Sequence, residues 1–128
     1  MKVVSRIAGI LLGLIFVVFG LNGFLHFIPM GQLPPGPAGQ FIGALVQTHY
    51  ELFVSGIQVI GGVLVLINRF VPLGLTLLAP VIVNILLFHI LMLPTGWMLG
   101  GIALILWLIV FYQHRLHFAG LFVHRSQL

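Results

Sequence analysis

The chain alternates between long apolar stretches and short breaks that are polar or rich in proline. A transmembrane helix needs about 20 mostly apolar residues, and four stretches approach that length, at about 7–27, 50–67, 71–93 and 97–113. A cluster of Pro and Gly at 29–37 ends the first stretch, and short turns around Asn68 and Pro94 separate the others. The pattern predicts an all-α protein, an integral membrane four-helix bundle that forms a single domain over 1–128.

Two shorter segments lie outside these stretches. Residues 38–49 carry Phe41, Ile42, Leu45 and Val46 at helical spacing, which predicts an amphipathic helix in the first outer loop. The tail after the fourth stretch mixes apolar residues with basic ones, which are His114, Arg115, His117, His124 and Arg125. We expect this basic tail to lie on anionic lipid headgroups, with no nucleic acid as a partner.

Composition narrows the class of protein. Hydrophobic residues make up 61% of the chain and charged residues 5%, whereas soluble domains carry about 25% charged residues. There is no cysteine, which excludes disulfides, thiolate zinc sites, iron–sulfur clusters and dithiol relays. The chain therefore belongs in a lipid bilayer, and its own side chains offer little redox chemistry.

The basic residues predict an orientation. With four spans, the five Lys and Arg all fall on one side, and they are Lys2, Arg6, Arg69, Arg115 and Arg125. The positive-inside rule makes that side cytoplasmic. We therefore expect a protein of the inner (plasma) membrane with both termini on the cytoplasmic side. Lys2 and Arg6 before an apolar run also fit a cleaved signal peptide, but no small-x-small cleavage site follows. We expect a retained first helix.

Polar side chains inside the spans are the candidate functional residues, because a polar group in hydrocarbon needs a partner. Counted from the middle of each span, six of them lie in the outer half or near the centre, and they are Asn22, His26, Ser55, Gln58, Asn84 and His89. Ser55 and Gln58 continue a stripe that starts at Glu51, at the interface. The fourth span contributes no polar group. The six residues predict one ligand pocket in the outer leaflet.

Two other interpretations of these polar residues stay open. Asn, Gln, Ser and His often bond one another between membrane helices without any ligand. His26 and His89 would suit a bis-histidine haem geometrically, but no sequence hallmark supports it, so haem is disfavoured. We expect no covalently bound cofactor and no metal, and a quinone fits the expected pocket.

Three segments resemble the DoxX family of small bacterial membrane proteins. They are GLNGFLHFIP at 20–29, GGVLVLINRFVPL at 61–73 and LAPVIVNILLFH at 78–89. The resemblance covers nearly the whole chain and implies a four-helix membrane protein associated with membrane redox complexes. It places Asn22, His26, Asn84 and His89 on recurrent polar positions of the family. Where many relatives carry an acidic residue, this chain has Gln58.

Two functions follow as hypotheses. The first is an accessory subunit of a membrane redox complex that holds a quinone-like or other hydrophobic ligand and docks on oxidoreductase subunits or on itself. The second is a non-catalytic scaffold or assembly factor without a ligand. In either case we expect no enzymatic activity of the chain on its own. A small multidrug exporter is less favoured, because the first span has no carboxylate.

Overall fold

The structure, a computed structural model, describes residues 2–29 and 31–124. This part of the chain forms five α-helices and a terminal 3-10 helix. Their bounds are α1 Lys2–Leu25, α2 Pro37–Gln47, α3 Tyr50–Leu66, α4 Val71–Leu91, α5 Trp97–His114 and the 3-10 helix Arg115–Phe122. The prediction of an all-α protein is therefore confirmed.

Several of these helices have the length and composition of membrane spans. Lys2–Leu25, Val71–Leu91 and Trp97–Phe122 are each long and apolar enough to cross a membrane. Helices α2 and α3 meet at an angle of 84° and add a fourth span if the bent pair counts as one. The second predicted span, 50–67, corresponds to α3, whose 17 residues make it the shortest of the four long helices.

The four long helices pack in a ring. Helix α1 contacts α3 and α5, and α4 contacts the same two helices. Chain neighbours run antiparallel, since Gly9 of α1 lies beside Val65 near the end of α3 while Gly23 lies beside Ser55 near its start. Side chains from the interior of the ring are fully buried, and they are Leu12, Val65, Leu75, Leu78, Ile82 and Val110.

Glycine brings α1 and α3 into backbone contact. A Cβ atom at Gly13 would lie 2.7 Å from the Gly62 carbonyl oxygen, and one at Gly20 would lie 2.9 Å from the Ser55 carbonyl oxygen. These distances are too short for any other residue without movement of a helix. Small residues on α1 thus allow its backbone to pack closely against α3, as is common between membrane helices.

The first helix starts earlier and ends earlier than predicted. It begins at Lys2 rather than near residue 7, because Arg6 extends across to α3 and donates to the carbonyl oxygens of Val65 (3.4 Å) and Leu66 (2.7 Å). It ends at Leu25, since His26 adopts a left-handed conformation with φ of 54° while its N–H still donates to the Asn22 carbonyl. This is a common way for a helix to stop.

The two segments outside the spans are both helical, as expected, although the tail forms a 3-10 helix. Helix α2 lies within the predicted amphipathic segment, and the Phe41 ring packs against Phe88 of α4 with centroids 5.7 Å apart. The tail forms the 3-10 helix, which buries Phe118 and leaves Leu121 and Phe122 exposed. Arg125, which we assigned to the basic tail, lies outside the described residues.

The fourth long helix, α5, was expected to contribute no polar group, but it donates one hydrogen bond to a neighbouring helix. Trp107 of α5 donates its indole N–H to the Leu75 carbonyl oxygen of α4 at 2.9 Å. Tryptophan was counted among the apolar residues, so its single donor was overlooked. This bond ties α5 to α4 within the ring.

Candidate functional site

A cleft of about 500 Å³ opens at the end of the ring where α1 and α4 finish. Its polar wall comes from three helices and consists of Asn22, Glu51, Ser55, Gln58 and His89. We call it the polar cleft. Ile42 and Leu45 of α2 cover part of it, and Leu99, Gly100 and Ala103 of α5 line another side. The α2–α3 bend therefore places an apolar helix beside a cluster of hydrogen-bonding groups.

His89 is held by the loop that follows its own helix. Its Nδ1 lies 3.1 Å from the Leu93 carbonyl oxygen and 2.7 Å from the Thr95 carbonyl oxygen. Carbonyl oxygens only accept, so Nδ1 carries the proton, and in the neutral ring Nε2 remains as an acceptor. The Phe88 ring stands edge-on to the imidazole, with centroids 5.1 Å apart. The imidazole is thus fixed at the wall of the cleft.

The Asn22 side chain is also held by a hydrogen bond to the backbone. Its Oδ1 accepts a hydrogen bond from the Ile28 N–H at 2.7 Å, which closes the end of α1. Its amide nitrogen bonds to no other group among the described residues, so that donor stays available at the cleft wall. Asn22 therefore combines a structural bond with a free donor.

Glu51, Ser55 and Gln58 follow one another along α3 and line the same cleft. Within the described part of the chain, none of the three side chains makes a hydrogen bond to protein. Ser55 is only 7% exposed, whereas Glu51 and Gln58 are half-buried. No buried side-chain oxygen or nitrogen atom among the described residues lacks a hydrogen-bond partner, so the polar atoms of these three residues are open to the cleft. Three polar side chains without a protein partner in one cleft are the feature that most favours a ligand or bound water.

Glu51 is the residue that sequence reasoning left out of the pocket. It was placed at the membrane interface because it lies in the first turn of its helix, but it lines the cleft together with Asn22 near the end of α1 and Gly96 in the α4–α5 loop. The signal was present in the sequence, since Glu51, Ser55 and Gln58 have helical spacing along one face. The only acidic residue of the chain thus belongs to the cleft.

Asn84 lines a neighbouring groove rather than the polar cleft. This groove, of about 720 Å³, runs between α2, α3 and α4, and its walls are largely apolar, with Phe41, Phe53 and Phe88 among them. Gln58 and His89 line both cavities, so the two are adjacent. The Asn84 amide donates to the Pro80 carbonyl oxygen at 2.7 Å, which is a bond within its own helix.

His26 lines neither cavity. It follows the last residue of α1, where its left-handed backbone turns the chain away from the ring, and its side chain is exposed. His26 and His89, the two histidines considered for a haem that we disfavoured, therefore do not line a common cavity. The polar cleft thus contains four of the six predicted residues, Asn22, Ser55, Gln58 and His89, together with Glu51. Asn84 lines the adjacent groove.

The polar cleft offers both donors and acceptors. Asn22, Ser55 and Gln58 supply N–H or O–H groups, while Glu51 and His89 Nε2 accept. No group of three or more His, Cys, Asp or Glu that could hold a metal ion occurs in the described residues. The arrangement suits an organic molecule with an apolar body and a few carbonyl or hydroxyl groups.

Comparison with protein-family models, curated proteins and solved structures found no match for this chain.

Proposed function

We propose that this chain is a DoxX-like integral protein of the bacterial inner membrane, with both termini cytoplasmic. In this proposal it is an accessory subunit of a membrane redox complex and binds a quinone-like or other hydrophobic ligand in the polar cleft. The observation that carries the proposal is the set of unpaired polar side chains on α3, Glu51, Ser55 and Gln58, facing a cavity with apolar walls.

The chemistry of the cleft fits a quinone and its reduced form. The carbonyl oxygens of a quinone accept hydrogen bonds, which Asn22, Ser55 and Gln58 supply. The hydroxyl groups of a quinol donate, and the Glu51 carboxylate and His89 Nε2 accept. An isoprenoid or alkyl tail would lie in the adjoining apolar groove. The resemblance to a family associated with redox complexes points to the same ligand class.

Binding of a short-chain benzoquinone to the purified protein tests this proposal. We expect Gln58→Leu to weaken binding by about 5- to 150-fold, because one ligand group would lose its partner in a desolvated site. Thr76→Val is the matched control, since the Thr76 hydroxyl donates to the Pro72 carbonyl oxygen of its own helix and lies away from both cavities. It should leave the affinity within about twofold of wild type.

A scaffold without a ligand is the second candidate, and specific bonds favour it. Asn22, Asn84 and His89 each bond to backbone near their own position, so part of the polar set already has a structural role. If wild type and Gln58→Leu bind the quinone equally weakly and contain the same co-purified lipids, the ligand proposal is wrong. The scaffold function would then remain.

A further inference from the structure

A second cleft opens at the opposite end of the ring, where α1 begins and α3 and α5 end. It has a volume of about 340 Å³, and its polar wall consists of Lys2, Ser5, Arg6, Asn68, Gln113 and His114. We call it the basic cleft. Ser5 is 5% exposed, so its hydroxyl group belongs to the interior of the wall rather than to the outer surface.

Arg6 is held in place but keeps free donors. One terminal nitrogen donates to the Leu66 carbonyl oxygen at 2.7 Å, and the other lies 3.4 Å from the Val65 carbonyl oxygen. A guanidinium has five N–H groups in a rigid fork, so these two bonds leave three donors. A fixed, partly bonded guanidinium is well suited to an anion with several oxygen atoms.

The positive charge of this cleft has no acidic side chain near it. The sequence contains five Lys and Arg but a single acidic residue, Glu51. Glu51 lies in the first turn of α3 and Leu66 ends that helix, which separates the carboxylate from the basic cleft by roughly 22 Å at the rise of an α-helix. No Asp or Glu side chain therefore pairs with Lys2 or Arg6, and their charge is available to an anion from outside the protein.

The residues around the basic cleft indicate what kind of anion fits it. The same turns of α1 expose Val3 (72%) and Ile7 (54%), and the turn before α4 exposes Phe70 (73%). A ligand that covers this surface needs both a negative group and apolar chains. We propose that the basic cleft binds the phosphate of an anionic phospholipid headgroup, with the acyl chains along the exposed apolar residues. This site is separate from the polar cleft and requires only that the protein lies in a membrane.

The test is lipid binding to the full chain in a neutral detergent, followed by native mass spectrometry. The probes are dioctanoyl phosphatidylglycerol, which is anionic, and dioctanoyl phosphatidylcholine, which has no net charge. We expect Lys2→Gln to weaken phosphatidylglycerol binding about tenfold or more. We substitute Lys2 because Arg6→Gln would also remove the hydrogen bonds from α1 to the carbonyl groups at the end of α3.

Arg69→Gln is the matched control. Arg69 lies in the exposed turn between α3 and α4 at the same end of the ring but does not line the cleft, and its loss should weaken binding less than about threefold. Equal effects of the two substitutions would show only a diffuse surface attraction, and equal binding of the two lipids would show no preference for negative charge. Either result would overturn the proposal.

Inorganic phosphate distinguishes the two sources of the ligand. If millimolar phosphate displaces phosphatidylglycerol from the wild-type protein, the phosphate group alone is sufficient for binding. If phosphate has no effect, the acyl chains on the apolar surface supply much of the affinity. Both results support a phosphate site, provided that Lys2→Gln weakens binding more than Arg69→Gln does.

Discussion

The polar cleft and the basic cleft lie at opposite ends of the same four helices, but they differ in charge and in size. The polar cleft, of about 500 Å³, contains the only acidic side chain and no Lys or Arg, and α2 covers part of it. The basic cleft, of about 340 Å³, contains Lys2 and Arg6 and no acid. Two clefts of different charge thus occur in one simple fold because the few charged residues are separated along its axis.

The largest expected effect concerns the side of the membrane on which each cleft opens. The chain has no natural cysteine, so Gln32→Cys and Ile67→Cys introduce single thiols at the two ends. A membrane-impermeant maleimide added to intact cells should label Gln32→Cys and leave Ile67→Cys unlabelled, because the positive-inside rule predicts that the end of the second span at residue 67 faces the cytoplasm. Detergent lysis should make both thiols reactive. Equal labelling before lysis would contradict the predicted topology.

A smaller effect is expected on the free energy of unfolding, because α1 and α3 pack more closely at one end of the ring than at the other. A Cβ atom at Gly20, near the polar cleft, would lie 2.9 Å from the Ser55 carbonyl oxygen, whereas one at Gly9, near the basic cleft, would meet nothing closer than 3.6 Å. We expect Gly20→Ala to lower the free energy of unfolding by about 1–3 kcal/mol through overpacking.

Gly9→Ala is the control for that comparison, with an expected change near zero or a gain of up to about 1 kcal/mol from helix propensity. Thermal unfolding in detergent measures both variants. If the two melt alike, the helices are equally close at both ends and the glycine contacts do not explain the packing.

The smallest expected effect is a difference between the two clefts in how salt changes their affinity for ligand. Raising the ionic strength from about 0.01 to 0.15 M shortens the Debye length from about 30 to 8 Å, which weakens attraction between exposed charges. Phosphatidylglycerol binding should fall roughly threefold, whereas binding of a neutral benzoquinone should stay constant. Two titrations of the same preparation measure this difference. A parallel fall for both ligands would remove the distinction in charge between the clefts.

Much of the fold was readable from the sequence, because apolar length and turn residues are local signals. The predicted spans 50–67 and 97–113 lie within one residue of α3 and α5 at each end. The beginning of α1 was not predictable in this way, since Lys2 and Arg6 look like residues outside a membrane. Their place in the helix depends on Arg6 reaching carbonyl oxygens about 60 positions further along the chain.

The candidate site was predicted in part for a similar reason. Depth along a helix is fixed by residue number, so Ser55 and His89 were assigned to the outer half and Gln58 to a level near the centre, and all three line the polar cleft. The conformation at a helix end is not fixed in this way, and the left-handed turn at His26 carries that side chain away. Glu51 was missed because its enclosure depends on the neighbouring helix ends, which no local pattern describes.

The unequal lengths of α1 and α3 have a consequence for the surrounding lipid. With 24 and 17 residues, the two helices rise about 36 and 26 Å, against a hydrocarbon core of about 30 Å. If both helices cross a bilayer, one that matches α1 is too thick for α3, and either the lipids beside α3 compress or α2 covers the difference. Such hydrophobic mismatch costs fractions of a kcal/mol per Å and favours thinner membranes. Bilayer thickness would then act on the polar cleft, since the start of α3 is one of its walls.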